Sequence, residues 1–190
     1  MGFPGGATRL DLGDIWVKGL GMQSINMQPS AFAGNTTPTS QVGFGFSIPV
    51  KAGSTFSNIA MITGTAASGT TPTTINLGVA DPTLTVRAVS ANVAANAGFT
   101  AAGIFGIPLG TTIQNSADGL WYGLILVNGT WSVTNWAASR GALVAAVYPP
   151  AGANYNYFTF GTALTSIPAP GSVLTPSQLN APVWFWCGLY

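Results

Sequence analysis

The sequence has no histidine, no glutamate and a single cysteine, and only 5% of its 190 residues are charged. An ordinary soluble domain carries about 25%. Each shortage excludes something. Without His or Glu, the groups left for acid–base chemistry are Asp11, Asp14, Asp81 and Asp118, the cations, Cys187 and the tyrosines. One cysteine cannot close an intramolecular disulfide. Cys187 sits in a dense apolar stretch with no histidine to activate it, so a buried, inert thiol is expected. Asp11 and Asp14 fall short of the roughly six oxygens that calcium takes. The glycine-rich stretch 103–110 lacks the lysine and helix start of a phosphate loop. Neither metal nor cofactor is expected, and no enzymatic activity.

The charge shortage also bears on partners. A net charge of +1 without a basic cluster leaves nothing to neutralise a phosphate backbone, so nucleic acid is not an expected partner. No apolar run reaches the 18 or so residues of a spanning helix. The opening Met1-Gly2-Phe3-Pro4-Gly5-Gly6 lacks the basic-then-apolar layout of a signal peptide. A membrane barrel would need strands of about 9–11 residues in strict alternation. Membrane insertion is not expected. A mean hydropathy of +0.41 then reads as a subunit whose surface is largely covered in an assembly, since low charge promotes association.

What is present favours strands. Thr, Val, Ile and aromatics are frequent, whereas the Lys, Glu, Gln and Arg of solvated helix surfaces are scarce. The longest apolar run is Trp121-Tyr122-Gly123-Leu124-Ile125-Leu126-Val127, closed by Asn128-Gly129-Thr130. It predicts a strand buried on both faces, central in its sheet and entering a tight hairpin. In residues 42–50, Val42, Phe44, Phe46, Ile48 and Val50 share one face. Further strands are predicted over 56–63, 73–80, 84–89, 99–108, 130–136, 143–148, 155–160 and 183–190. Residues 64–72, 90–98 and 110–119 read as loops or turns, with Asp81-Pro82 and Asp118-Gly119 as turn residues. This spacing predicts an all-β fold, a jelly-roll-like or Greek-key β-sandwich with an extended N-terminal arm.

The arm and linker are placed at 1–40 and the sandwich domain at 41–190. Four of the nine charges, Arg9, Asp11, Asp14 and Lys18, fall before residue 19, in a strand-like stretch that alternates Leu10 and Leu12, then Ile15 and Val17. Leu10, Leu12, Ile15 and Trp16 are the candidate contacts of an arm docking on a neighbouring subunit; a free tail or a first strand of the domain is the plainer reading. Trp131, Trp136, Tyr155 and Tyr157 are candidates for partner or glycan contact. Tryptophan and tyrosine in such positions also serve as core or subunit interface.

The order of elements from about Phe46 to Tyr190 resembles the β-sandwich modules of tailed-bacteriophage virion proteins, especially minor tail, tail-fibre and decoration proteins. The residues carrying the resemblance are Asn58 to Ala66, the turn Asp81-Pro82-Thr83-Leu84, Ile107-Pro108-Leu109, the acidic-Gly-aromatic-Tyr stretch Asp118 to Gly123 running on to Thr130, and the final strand Pro182 to Tyr190. Where those modules often carry a Tyr, this chain has Leu77-Gly78-Val79-Ala80. The resemblance implies location in a virion, a structural or adhesive role and no active site. It implies partnership with other virion proteins of capsid or tail, a homo-oligomer with a trimer favoured, and a host-surface glycan as the alternative ligand.

Overall fold

The computed structural model describes residues 21–25, 34–68, 72–96, 103–129, 133–139, 157–176 and 184–190. All regular structure among them is strand: β1 (Ser24–Ile25), β2 (Gly34–Thr36), β3 (Gly43–Val50), β4 (Thr55–Ser68), β5 (Thr74–Ala80), β6 (Val86–Val89), β7 (Gly103–Gln114), β8 (Gly119–Asn128), β9 (Val133–Ser139), β10 (Tyr157–Gly161), β11 (Trp184–Phe185) and β12 (Cys187–Leu189).

The pairings are nested. β5 pairs with β6, β4 with β7, β3 with β8 and β2 with β9, all antiparallel. One sheet runs β10-β3-β8-β5-β6, and the other contains β2-β9-β4-β7 together with β1, β11 and β12. A long hairpin wound into two sheets has this wiring, so the fold is an all-β jelly roll of eight strands, β2 to β9, extended at its C-terminal end. The strands before residue 41 belong to it: β1 pairs with β12 and β2 with β9. The Ser24 hydroxyl also donates to the Pro49 carbonyl, tying β1 across to β3.

The period-2 patterns determine what each strand buries. Phe44, Phe46, Ile48 and Val50 on β3 meet Phe56, Ile59 and Met61 on β4, Ile75, Leu77 and Val79 on β5, and Ile107, Leu109 and Ile113 on β7 in one core between the sheets. β8 is the middle strand of its five-stranded sheet. Its Trp121, Ile125 and Val127 face that core, while Tyr122, Leu124 and Leu126 face the other way into a second cluster with Ala80, Val86, Phe158, Phe160, Ile167 and Leu174. Burying a side chain of this size contributes about 1.5–3 kcal/mol, so both faces of β8 hold the fold.

The chain itself covers the outer face of the smaller sheet. Residues 157–176 form a strap. β10 adds to the β3 edge, with Phe158 opposite Gly45, and Phe160 lies over Gly43; a Cβ at either glycine would collide with the ring. The strap then crosses the sheet through Ile167 and Leu174 and ends at the far edge. There, Val86 N donates to Ser172 O (2.8 Å), Gly171 N to Val86 O (2.8 Å) and Leu174 N to Leu84 O (2.9 Å). One segment thus supplies the edge strand beside β3 and bonds the backbone of Leu84 and Val86 at the opposite edge of the sheet.

Three sequence expectations are corrected. Asn128-Gly129 does not close a hairpin: β8 lies in the smaller sheet and β9 in the larger, so the turn carries the chain between layers. β4 continues through Ser68 into the small-residue stretch read as a loop, and β7 continues through Gln114 into the polar stretch read as a turn. In both cases the ladder partner sustains a strand that composition does not announce. Residues 143–148 and the strand-like stretch ending at Lys18 lie outside the described residues.

Candidate functional site

The jelly roll brings its connections together at two ends. At one end stand the β3–β4 turn, the β5–β6 turn and the β7–β8 connection, with Asn115 at their centre. Its side-chain amide donates to Ala117 O (2.6 Å) and Lys51 O (3.0 Å). Its backbone carbonyl accepts from Gly53 N (2.8 Å), and its N–H donates to Ser54 O (2.9 Å). Asp118 accepts from Ala52 N at 2.7 Å, so its carboxylate serves the neighbouring turn. Asp81 organises the β5–β6 turn, where one carboxylate oxygen accepts from Thr83 N (2.8 Å), Thr83 Oγ1 (2.6 Å) and Thr85 N (3.1 Å). This Asx turn supports Leu84 at φ 63°. Arg87 pairs with the other Asp81 oxygen at 3.5 Å. Lys51, Asp81, Arg87 and Asp118 are the only charged side chains among the described residues, and all four stand at this end.

The opposite end is uncharged among the described residues. Gln41 N donates to Val127 O (2.7 Å) and Thr73 N to Asn128 O (2.9 Å). Gly129 N donates to Ser40 Oγ at 3.0 Å. Asn92 accepts from Ile75 N (3.0 Å) and donates to Thr73 O (2.9 Å). Small polar side chains close this end by bonding backbone.

The outer face of the larger sheet carries an apolar strip. Ile62 stands opposite Ile104 and Ala60 opposite Gly106. The Tyr190 ring lies across Gly106, where a Cβ would collide with the phenol. Ile104 and Tyr190 remain 45% and 37% exposed, and no charged side chain interrupts the strip among the described residues.

The structure distributes the sequence candidates widely. Tyr157 is a core residue: it is 5% exposed, and its ring packs on Phe44 and Phe46 at centroid distances of 6.1 and 5.4 Å. Its aromatic face is therefore closed to a sugar. Trp136 lies on β9, its backbone between Thr36 and Thr63. Trp131, Tyr155, Leu10, Leu12, Ile15 and Trp16 lie outside the described residues. Cys187 is fully buried against Gly123, and desolvation pushes its thiol well above the ordinary range. No group of three or more His, Cys, Asp or Glu side chains placed to hold a metal occurs among the described residues. No helix among them is long and apolar enough to cross a membrane.

Sequence reading missed Asn115 and the strap. Asn115 sat inside a stretch read as generic turn, and only the fold brings it against residues 51–54. The strap's apolar residues, Leu164, Ile167 and Leu174, are too widely spaced to show a period. Comparison with protein-family profiles, with curated proteins and with solved structures finds no match.

Proposed function

We propose that this protein is a non-enzymatic structural subunit of a tailed-phage virion. It would pack on the capsid or tail surface, as a decoration or minor tail protein, in contact with other virion proteins and with copies of itself, a trimer being favoured. The observation that carries the reading is the distribution of charge over the jelly roll: among the described residues all four charges gather at one end, with Arg87 on β6 the one charge within a strand and the opposite end without any. A subunit that meets neighbours through its sides gains from this, because uncharged surface is cheap to desolvate and charge is depleted at interface cores. The jelly roll is an architecture of viral coat proteins, and this support is by fold analogy.

Sedimentation of the purified chain tests the proposal. An oligomer is expected, and labelled protein is expected on the surface of assembled particles. A clean monomer at high concentration, with no particle labelling, overturns it. Jelly rolls also serve as lectin domains, so the second reading is a receptor- or carbohydrate-binding module at the tail tip. That reading requires glycan-array binding that falls on Trp131→Ala or Trp136→Ala; array signals at background remove it.

A further inference from the structure

We infer that Asn128-Gly129 is a latent succinimide-forming site, held closed by the Ser40 hydroxyl. An asparagine followed by glycine is the dipeptide most open to this chemistry, because glycine places no side chain beside the attacking nitrogen. In the reaction the Gly129 nitrogen gives up its proton to solvent base and attacks Cγ of Asn128. The bond from Cγ to the side-chain nitrogen breaks, ammonia leaves, and a five-membered imide closes. Water then opens the ring at either carbonyl, giving aspartate or isoaspartate at position 128.

The fold blocks the first step from both sides of the peptide. The Gly129 N–H, which must be lost and must turn toward Cγ, is engaged by Ser40 Oγ at 3.0 Å. The Asn128 carbonyl is held by Thr73 N (2.9 Å) and Thr73 Oγ1 (3.0 Å). Asn128 is the last residue of β8, with its Cα opposite Thr74 on β5. Gly129 has φ 106°, and a Cβ there would stand 3.1 Å from Pro72 Cα, so the turn has little room to rotate. Both residues are only half-buried, which leaves water and base within reach. The site is thus restrained by hydrogen bonds rather than sealed from solvent. Opening it would place a negative charge, and for isoaspartate an extra backbone methylene, where the chain crosses between the sheets.

A second dipeptide of this type straddles the start of β8. Asp118-Gly119 is prone to the same ring closure with loss of water, and there the Asp118 carboxylate is held by Ala52 N at 2.7 Å. This second site reports on loosening of the whole fold.

The test is peptide mapping by mass spectrometry of the full chain, held native in mildly alkaline buffer, for wild type, Ser40→Ala and Ser40→Thr. Native wild type is expected to keep Asn128 intact far longer than the same chain in denaturant. Ser40→Ala is expected to raise native deamidation at position 128 several-fold, with isomerisation at Asp118 unchanged and with Ser40→Thr close to wild type. The inference is overturned if native wild type reacts as fast as unfolded chain, or if Ser40→Ala leaves the rate unaltered. It is also overturned if positions 118 and 128 accelerate together, since the effect would then be global.

Discussion

At the scale of single residues, close approach controls more than chemistry does. Gly123 faces Cys187: a Cβ added to it would lie 2.8 Å from Sγ and 3.2 Å from Ile48 Cδ1. Gly123→Ala should therefore overpack the core and cost about 1–3 kcal/mol. Combined with Cys187→Ala it should cost less than the sum of the two single changes, a coupling of about 0.5–3 kcal/mol in a double-mutant cycle read by denaturant unfolding. The buried thiol should not react with a thiol reagent until the chain unfolds. Its raised pKa also has a sign in the stability curve. The unfolded thiol ionises near pH 8.5 and the folded one well above that, so the contribution of burial is complete below about pH 8.5 and declines as pH rises beyond it. Unfolding free energy should fall with pH in the alkaline range by up to about 1.4 kcal/mol per unit more steeply in wild type than in Cys187→Ala. Equal slopes would mean that the thiol meets solvent in the native state.

At the scale of elements, the strap decides whether the smaller sheet keeps water from its outer face. Leu174 is 4% exposed at the far end of that crossing. Leu174→Ala should cost about 2–5 kcal/mol, and release of the strap should appear as new dye-binding hydrophobic surface over Tyr122, Leu124 and Leu126. Asn115 plays a comparable part in polar form. Asn115→Ala removes the donor to Lys51 O and Ala117 O and should cost about 1–3 kcal/mol by thermal or denaturant unfolding. The strands were legible in sequence where one face alternates, as in Phe44 to Val50, or where both faces are apolar, as in Trp121 to Val127. They were illegible where glycine and threonine carry the ladder, as at 64–68 and 110–114, because pairing there depends on a distant partner rather than on the segment's own composition. The same limit applied to function: Trp131, Trp136, Tyr155 and Tyr157 share a residue type, but the fold sends Tyr157 to the core, and no local pattern separates it from the others.

At the scale of the whole molecule, the described charges are few and stand near the surface of one end. In the ion pair Asp81–Arg87 the cation is 53% exposed. Such pairs are worth about 0–1 kcal/mol, so Arg87→Ala and added salt should each leave the unfolding midpoint nearly unchanged. A strong salt dependence would point to charged contacts made between copies. The strap also revises the meaning of the low charge. Part of the apolar surface that composition assigns to neighbours is covered by the chain's own residues 157–176. The strip at Ile104 and Tyr190, and Val173 on the strap, remain exposed.

Nested strand pairing also constrains the order in which the chain acquires structure. The innermost pair joins Ala80 to Val86 across the Asp81 turn, whereas the outermost of the four nested strand pairs, β2 with β9, joins residues as far apart as Gly34 and Ala138. Closing the outer pair first would cost the entropy of a very long loop; closing it last costs only the increment left by the pairs already formed inside it. Nucleation should therefore begin at the Asp81 turn and spread outward through β4–β7 and β3–β8, giving slow folding typical of non-local topologies. Asp81→Ala should mainly slow refolding, and changes in β2 or β9 should mainly speed unfolding, as the two arms of a chevron plot would separate.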